Sequence, residues 1–135
     1  MTDTAELVRV VPMFAELDEE EMAWVAGLAT EFDVPAGFVL IEHGQPGSGM
    51  FIVTAGIVSI ELPRGAIERG PGEFVGELAL LADGFTRVAR VRAKTAVQGL
   101  AIGRMAFSEL LQEEPRVAVK MLPVLARRLA EAESI

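Results

Sequence analysis

Apolar residues recur with helical spacing at both ends of the chain, whereas short β-type runs occupy the middle. Near the N-terminus the pattern predicts a short helix over residues 7–14, ending near Pro12, and a second helix that begins at Asp18. Asp18 as N-cap and Glu21 three positions later form the sequence signature of a capping box. The predicted apolar face of this second helix comprises Met22, Val25, Ala26 and Ala29.

The middle of the chain, from Thr30 to about Ile102, has the texture of a β-structure. Short runs rich in strand-forming residues cover positions 31–34, 38–42, 50–54 and 57–62, and clusters containing Gly and Pro separate most of them. Turn signals at such short intervals predict a compact roll or sandwich of strands.

Helical periodicity returns at Arg104. It predicts one short helix over residues 106–113 and a longer one that starts at Pro115 and runs toward Glu133. Pro123 lies inside the longer helix, where it removes one hydrogen bond and is expected to bend the axis. The predicted apolar face comprises Ala118, Met121, Leu122, Leu125, Leu129 and Ala132. Residues 1–135 therefore read as a single domain with helices at about 5–29, strands at about 30–103 and C-terminal helices at about 104–133.

Composition restricts the chemistry available to this domain. Cysteine is absent, which excludes disulfides, thiolate metal sites and cysteine nucleophiles, and His43 is the single histidine. We therefore expect no catalytic residues, no metal site and no enzymatic activity. The net charge of −8 repels phosphate backbones, so nucleic-acid binding by this chain alone is not expected.

The ends and the hydropathy of the chain bear on its location. The first residues lack the basic start and apolar run of a signal peptide. No stretch of 18 or more apolar residues is present, so no membrane span is expected. These features predict a cytoplasmic protein.

The segment GELALL at positions 76–81, followed by Arg87, carries the candidate chemistry. Gly76 before a short helix allows backbone N–H groups to approach a phosphate closely, and the helix dipole favours the negative charge. An arginine supplies a bidentate fork, and the Glu77 carboxylate accepts from a hydroxyl donor. The pattern predicts a site for one small ligand that carries both an anion and a hydroxyl.

Strand alternation between positions 87 and 97 predicts the direction of Arg87. The odd positions are mostly apolar and are predicted to face the core, whereas Arg90, Arg92 and Lys94 are predicted to face water. Arg87 therefore points inward and needs a partner, since an unpaired buried charge is costly. Spacing alone leaves two partners open, the Glu77 carboxylate and a ligand phosphate.

These residues resemble the phosphate-binding cassette of the cyclic nucleotide-binding domain family, which includes the sensor domain of the catabolite activator protein. The resemblance rests on FVGELAL at positions 74–80, the spacing to Arg87, VRAKTA at positions 91–96, and turn glycines at Gly44 and Gly56. It covers nearly the whole chain. It implies an α+β, mainly β fold: an antiparallel β-roll, or jelly roll, flanked by N-terminal helices and a long C-terminal helix.

The resemblance also assigns a role to each position of the cassette. Backbone N–H groups near Glu77, Leu78 and Ala79 would hold the cyclic phosphate, with Gly76 allowing its close approach. Arg87 would pair with an exocyclic phosphate oxygen, and Glu77 would accept from the ribose 2′-hydroxyl. The backbone N–H of Val88 or Ala89 would complete the cage. The implied ligand is cyclic AMP, and no cofactor is expected.

Two positions depart from the family pattern. Val88 stands where serine, threonine or alanine is common, and the valine side chain can neither donate to phosphate nor accept from a guanine amino group. The helix positions that supply hydroxyls to adenine in the activator correspond to Ala132 and Glu133, of which only Glu133 offers an acceptor. Cyclic GMP is therefore expected to bind less well than cyclic AMP.

The leading hypothesis is a regulatory module that binds cyclic AMP and relays it through the C-terminal helix. The alternative is a degenerate β-roll that binds no nucleotide and acts as a structural or dimerisation module. A homodimer through that helix is expected, with Val117 and Val124 on the partner side. The sequence lacks the DNA-binding segment that follows this helix in the activator, and it indicates either a stand-alone sensor or part of a larger regulator.

Several other residues are interpreted as structural. His43 is predicted to lie in an exposed turn, and Trp24 to pack against the core. Arg127 and Arg128 are interpreted as favourable charges near a helix C-terminus that need no partner. Three methionines are predicted to fill the core: Met50, Met105 and Met121.

Overall fold

The computed structural model describes residues 4–42, 44, 49–63, 65–81 and 89–133. The N-terminal part consists of α1 (Thr4–Arg9), a 3₁₀ turn (Pro12–Phe14) and α2 (Glu19–Leu28). The helix predicted over 7–14 was wrong in its bounds, because proline cannot donate to the preceding turn and instead starts the 3₁₀ turn. The predicted capping box is confirmed: Glu21 N donates to Asp18 Oδ1 at 2.8 Å, and Asp18 N donates to Glu21 Oε1 at 2.9 Å.

The described residues that follow form eight strands, with one short helix between the sixth and the seventh. The strands are β1 (Thr30–Val34), β2 (Val39–Ile41), β3 (Gly49–Ala55), β4 (Val58–Leu62), β5 (Gly65–Arg69), β6 (Phe74–Val75), β7 (Arg90–Ala93) and β8 (Val97–Gly103). They form two four-stranded antiparallel sheets, ordered β1-β8-β3-β6 and β2-β7-β4-β5. The short helix is α3 (Leu78–Leu81), and the chain ends in α4 (Arg104–Glu113) and α5 (Pro115–Glu133). The predicted fold class, a β-roll flanked by helices, is confirmed.

The continuous strand predicted up to position 97 is divided in two. Ala93 ends β7, and the backbone N–H groups of Lys94 and Thr95 donate to Ile57 O at 2.9 and 3.3 Å. The chain then enters β8 in the other sheet. The predicted alternation of faces holds through β7 and resumes at Val97, since Ala89, Val91, Ala93 and Val97 are all buried. It is wrong at Thr95, which is exposed where the chain leaves β7.

Gly56 makes the turn between β3 and β4 and shows why that position requires glycine. Its φ is +90°, a conformation that residues with a Cβ rarely adopt. A Cβ there would lie 2.1 Å from Ala96 O, so a side chain would also collide with the segment that joins β7 to β8. Gly44 has a φ of +83°, which agrees with its predicted position in a turn.

Two apolar clusters stabilise the roll. One lies between the sheets and includes Val53, Val58, Val75, Val91 and Val97. The other joins the first sheet to the helices and includes Phe14, Ile52, Leu100, Phe107, Leu110 and Met121. Trp24 packs against the second cluster as predicted, and Met50 is fully buried within it. Met105 is 85% exposed, so its predicted place in the core was wrong.

The predicted buried face of α5 is confirmed in part, because Met121 is buried and Leu125 packs against the core. Val117 and Met121 are buried and Val124 packs against them, whereas Leu122 and Leu129 are 62% and 60% exposed. The prediction that Val117 faces a partner helix is therefore wrong. Continued at helical spacing, the buried line reaches Arg128, so α5 turns a charged residue toward the roll.

Candidate functional site

The candidate site begins where β6 ends. Gly76 has a φ of +89°, so the chain turns here through a conformation that glycine adopts without strain. Glu77 follows, and its carbonyl accepts from the N–H groups of Leu80 and Leu81 at 2.9 and 3.0 Å. These bonds start α3. The first N–H groups of a helix have no acceptor within it, so this turn presents donors suited to an anion.

Among the described residues, Glu77 is the one charged residue that is buried, with 5% of its surface exposed. A carboxylate at this depth needs a compensating charge and hydrogen bonds. Arg128 of α5 supplies both, because its Nη1 donates to Glu77 Oε1 at 2.7 Å. The two residues are 51 positions apart in the sequence, so the bond joins the cassette directly to the C-terminal helix.

Arg128 is itself held on two further sides. Its Nη2 donates to Phe74 O at 2.7 Å, and its guanidinium carbon lies 4.5 Å from the centroid of the Phe74 ring. Such a stacked cation is attracted by the ring quadrupole. Phe74, Glu77 and Arg128 therefore fix one another at the junction of β6, α3 and α5.

Opposing electrostatic effects act on the pKa of Arg128. Burial lowers the pKa of Arg128 below its ordinary value, the charge of Glu77 raises it, and the nearby Arg69 lowers it further. Arginine remains protonated at neutral pH in this environment. The cluster is thus a largely buried ion pair, in which the removal of either partner leaves the other uncompensated.

The predicted site residues are placed as follows. Gly76, Glu77, Leu78 and Ala79 are consecutive at the β6–α3 junction. Ala89 is buried immediately before β7. Arg87 and Val88 lie outside the described residues, as does His43. The role of each in ligand binding stays a prediction.

Arg128 is the residue of this cluster that sequence reasoning missed. It was interpreted as a helix-terminal charge without a partner, and the structure contradicts that interpretation. The available signal was spacing: Arg128 lies 4, 7 and 11 positions after Val124, Met121 and Val117, on the line of α5 that packs against the roll.

A family model described as "Cyclic nucleotide-binding domain" matches residues 31–114, which include the roll, the cassette and α4. The chain belongs to this family. The predicted resemblance is thereby confirmed, and the domain is a regulatory cyclic nucleotide-binding domain. Some relatives carry it fused to enzyme domains.

Relatives and solved structures agree with this assignment. A cyclic nucleotide-gated potassium channel of Mesorhizobium japonicum is 36% identical over 130 residues, which cover 96% of this chain and 36% of the channel. The catabolite activator protein of Thermus thermophilus has a TM-score of 0.75 at 32% identity, covering 90% of this chain and 60% of that one. Cyclic AMP-bound PfPKA-R shares the fold, with a TM-score of 0.81 at 23% identity over 96% of this chain and 45% of that one.

The chain covers about a third of the length of the first curated relatives it matches. Within the described residues no helix combines the length and the apolar character needed to cross a bilayer. The same residues contain no group of three or more His, Cys, Asp or Glu side chains placed to hold a metal ion.

Proposed function

We propose that this cyclic nucleotide-binding domain is a sensor of cyclic AMP that transmits ligand occupancy through α5, without catalysis. The observation that supports this most directly is the bond between Glu77 and Arg128. It connects the residue that would accept from the ribose to the helix that would carry the signal.

In this proposal the cassette holds the ligand through four contacts. The N–H groups at the start of α3 and the Arg87 guanidinium hold the cyclic phosphate, and the N–H of Val88 or Ala89 completes the cage. The ribose 2′-hydroxyl donates to Glu77. The bond to Arg128 uses Oε1 of Glu77, and a carboxylate has acceptor capacity on both oxygens, so Glu77 can bond Arg128 and the ribose together.

The relay follows from that shared carboxylate. A ligand shifts a helix only by binding one arrangement better than another. A hydroxyl donated to Glu77 changes the charge available to Arg128, and with it the free energy of docking α5 on Phe74 and Glu77. Glu133, near the end of α5, is the proposed acceptor for the adenine amino group. The proposed preference for cyclic AMP over cyclic GMP rests on Val88.

A homodimer through α5 is the proposed assembly, on a different face from the one predicted. Val119, Leu122 and Leu129 are each at least 60% exposed, and Ala126 is also exposed. Their spacing of three, four and three residues is that of a coiled-coil seam. This face points away from Val117 and Met121, so a partner helix can pack on it without disturbing the core.

The proposed setting is the cytoplasm, and the proposed partners exclude nucleic acid and membrane. A cysteine-free chain is compatible with that reducing compartment. The net charge of −8 disfavours contact with a phosphate backbone by this chain alone.

A calorimetric titration with cyclic AMP tests the binding. We expect one site per chain, and an affinity about tenfold to a hundredfold weaker in Arg87→Leu, which loses a charge-assisted contact. Arg90→Leu is the matched control, because Arg90 pairs with Glu42 at 2.8 Å on an exposed surface. Thermal unfolding of both variants verifies the fold.

Three results would contradict the proposal. Equal affinity in Arg87→Leu would remove that residue from the site. No binding by the parent chain would favour the structural or dimerisation module instead. Hydrogen exchange over 115–133 that is the same with and without bound cyclic AMP would contradict the relay through α5.

A further inference from the structure

A cavity of about 230 Å³ lies between α5 and the segment that joins β5 to β6. Arg69, Arg127 and Arg128 line it together with Glu73 and Glu131, and neither Gly76 nor Glu77 does. A single water molecule needs only about 10–15 Å³ of such free space, so the cavity holds more than a single small ion. It adjoins the candidate site, with which it shares Phe74 and Arg128.

The charged groups around this cavity differ in how fully they are hydrogen-bonded. Arg128 is engaged by Glu77 and by Phe74 O, and Glu73 Oε2 accepts from Gly70 N at 2.7 Å. Arg127 has no ion pair or hydrogen bond within the described part of the chain. The Arg127 guanidinium is therefore left with unused N–H donors beside the cavity.

Arg69 is the most unusual group in the cavity wall. Its side chain is 13% exposed, and its Nε is buried without a hydrogen-bond partner among the described residues. Its nearest carboxylate oxygen belongs to Glu131 and lies 3.9 Å from Nη2, beyond hydrogen-bonding distance. A buried donor that bonds nothing is costly, and an incoming acceptor would remove that cost.

We propose that this cavity binds a small organic phosphate, with its phosphate group between Arg69 and Arg127. Guanidinium forks match phosphate oxygens, and Arg69 and Arg127 both keep N–H donors that no acceptor among the described residues uses. Pro12, Pro71 and Val124 supply an apolar wall for the organic part. Glu131, whose side chain is 60% exposed, can turn toward solvent as the phosphate enters.

The proposal does not depend on nucleotide binding in the cassette. It requires only the β5–β6 segment and α5 in the described arrangement, and it involves no bond making or breaking. A chain that fails to bind cyclic AMP could still bind a phosphate here, and the reverse also holds.

Titration with inorganic phosphate and with glycerol 3-phosphate, followed by NMR of the arginine Nε–H groups, tests the site. The Arg69 Nε–H resonance should shift with both probes, and glycerol 3-phosphate should bind more tightly because it also uses the apolar wall. Arg69→Gln and Arg127→Gln should each weaken binding by roughly tenfold or more. Arg90→Gln, on the exposed face of β7, should leave it unchanged.

A last variant separates this cavity from the cassette. Arg87→Leu should retain phosphate binding, and its loss there would place the anion in the cassette and overturn the proposal. Undiminished binding in Arg69→Gln, or an Arg69 Nε–H resonance that does not move, would overturn it as well. Equal affinities for the two probes would contradict a site built for an organic phosphate.

Discussion

At the scale of single residues, the sequence predicts the position of Glu77 but not its partner, Arg128. Glu77 directly follows Gly76, and this local pattern predicts a carboxylate at a ligand site. The pattern can be read from the sequence because it involves only neighbouring residues. The partner of Glu77 could not be predicted, because pairing residues 51 positions apart depends on how α5 lies against the roll. That orientation is a property of tertiary packing.

Arg128→Gln should lower the free energy of unfolding by about 3 kcal/mol, since it leaves Glu77 buried without its cation. Glu77→Gln together with Arg128→Gln should cost less than the sum of the two single substitutions, because neither residue then faces an unpaired charge. Denaturant unfolding of the four proteins measures this coupling. Strictly additive costs would show that the pair does not act as a unit.

Val88→Thr should narrow the gap between cyclic AMP and cyclic GMP. A guanine amino group that enters beside valine loses water and gains no acceptor, whereas a threonine hydroxyl can accept from it. A competition assay with both nucleotides measures the ratio of affinities. A parent chain that binds both equally would contradict the predicted preference, and an unchanged ratio in Val88→Thr would place base selection at another position.

At the scale of elements, helix starts were the most predictable features. The capping box at Asp18 and the proline at the start of α5 act within a few residues, so their signals are complete in the sequence. The face of α5 was less predictable, because apolar residues almost encircle this helix. The core selects Val117 and Met121 over Leu122 and Leu129, and only the packed structure shows that choice.

The start of α2 should make stability depend on pH. The backbone N–H of Asp18 lowers the pKa of Glu21 from its ordinary value of 4.5, and Arg116 of α5 lowers it further, against an opposing effect of burial. A carboxyl group whose pKa is depressed in the folded state contributes stability above its unfolded pKa, and loses it as the pH falls through the folded pKa.

Glu21→Gln should therefore be less stable than the parent at pH 7, and the difference should shrink as the pH falls below about 4.5. Thermal unfolding across this range measures it. Arg116→Gln tests the source of the effect, since it removes the cation and leaves the capping box in place. A difference between Glu21→Gln and the parent that stays constant at every pH would contradict the linkage.

At the scale of the whole molecule, the fold class was predictable while the division into sheets was not. Alternation and turn residues indicate strands, but the residues that join β7 to β8 carry no signal that the chain changes sheet there. That change depends on Ile57 O, which accepts from Lys94 N and Thr95 N across the roll. The candidate site was predictable at the junction of β6 and α3 and unpredictable where it meets α5.

The exposed seam of α5 predicts an assembly that single substitutions can disrupt. Leu122→Glu should shift the chain toward monomer, because it places a charge in the proposed helix–helix contact. Met105→Glu is the matched control, since Met105 is 85% exposed on α4. Sedimentation equilibrium of the three proteins measures the change. A parent that is monomeric at every concentration, with and without cyclic AMP, would contradict the dimer.

The contact between Arg128 and Glu77 also limits where a gene fusion can divide this domain. A gene fusion that carried the roll but left α5 behind would leave the buried Glu77 carboxylate without its cation and would uncover the Phe74 ring. A recombination event that keeps these contacts must therefore carry the whole stretch up to Arg128 as one piece. The helix proposed to transmit ligand binding is therefore also the helix that must accompany the roll when the domain is joined to a new protein.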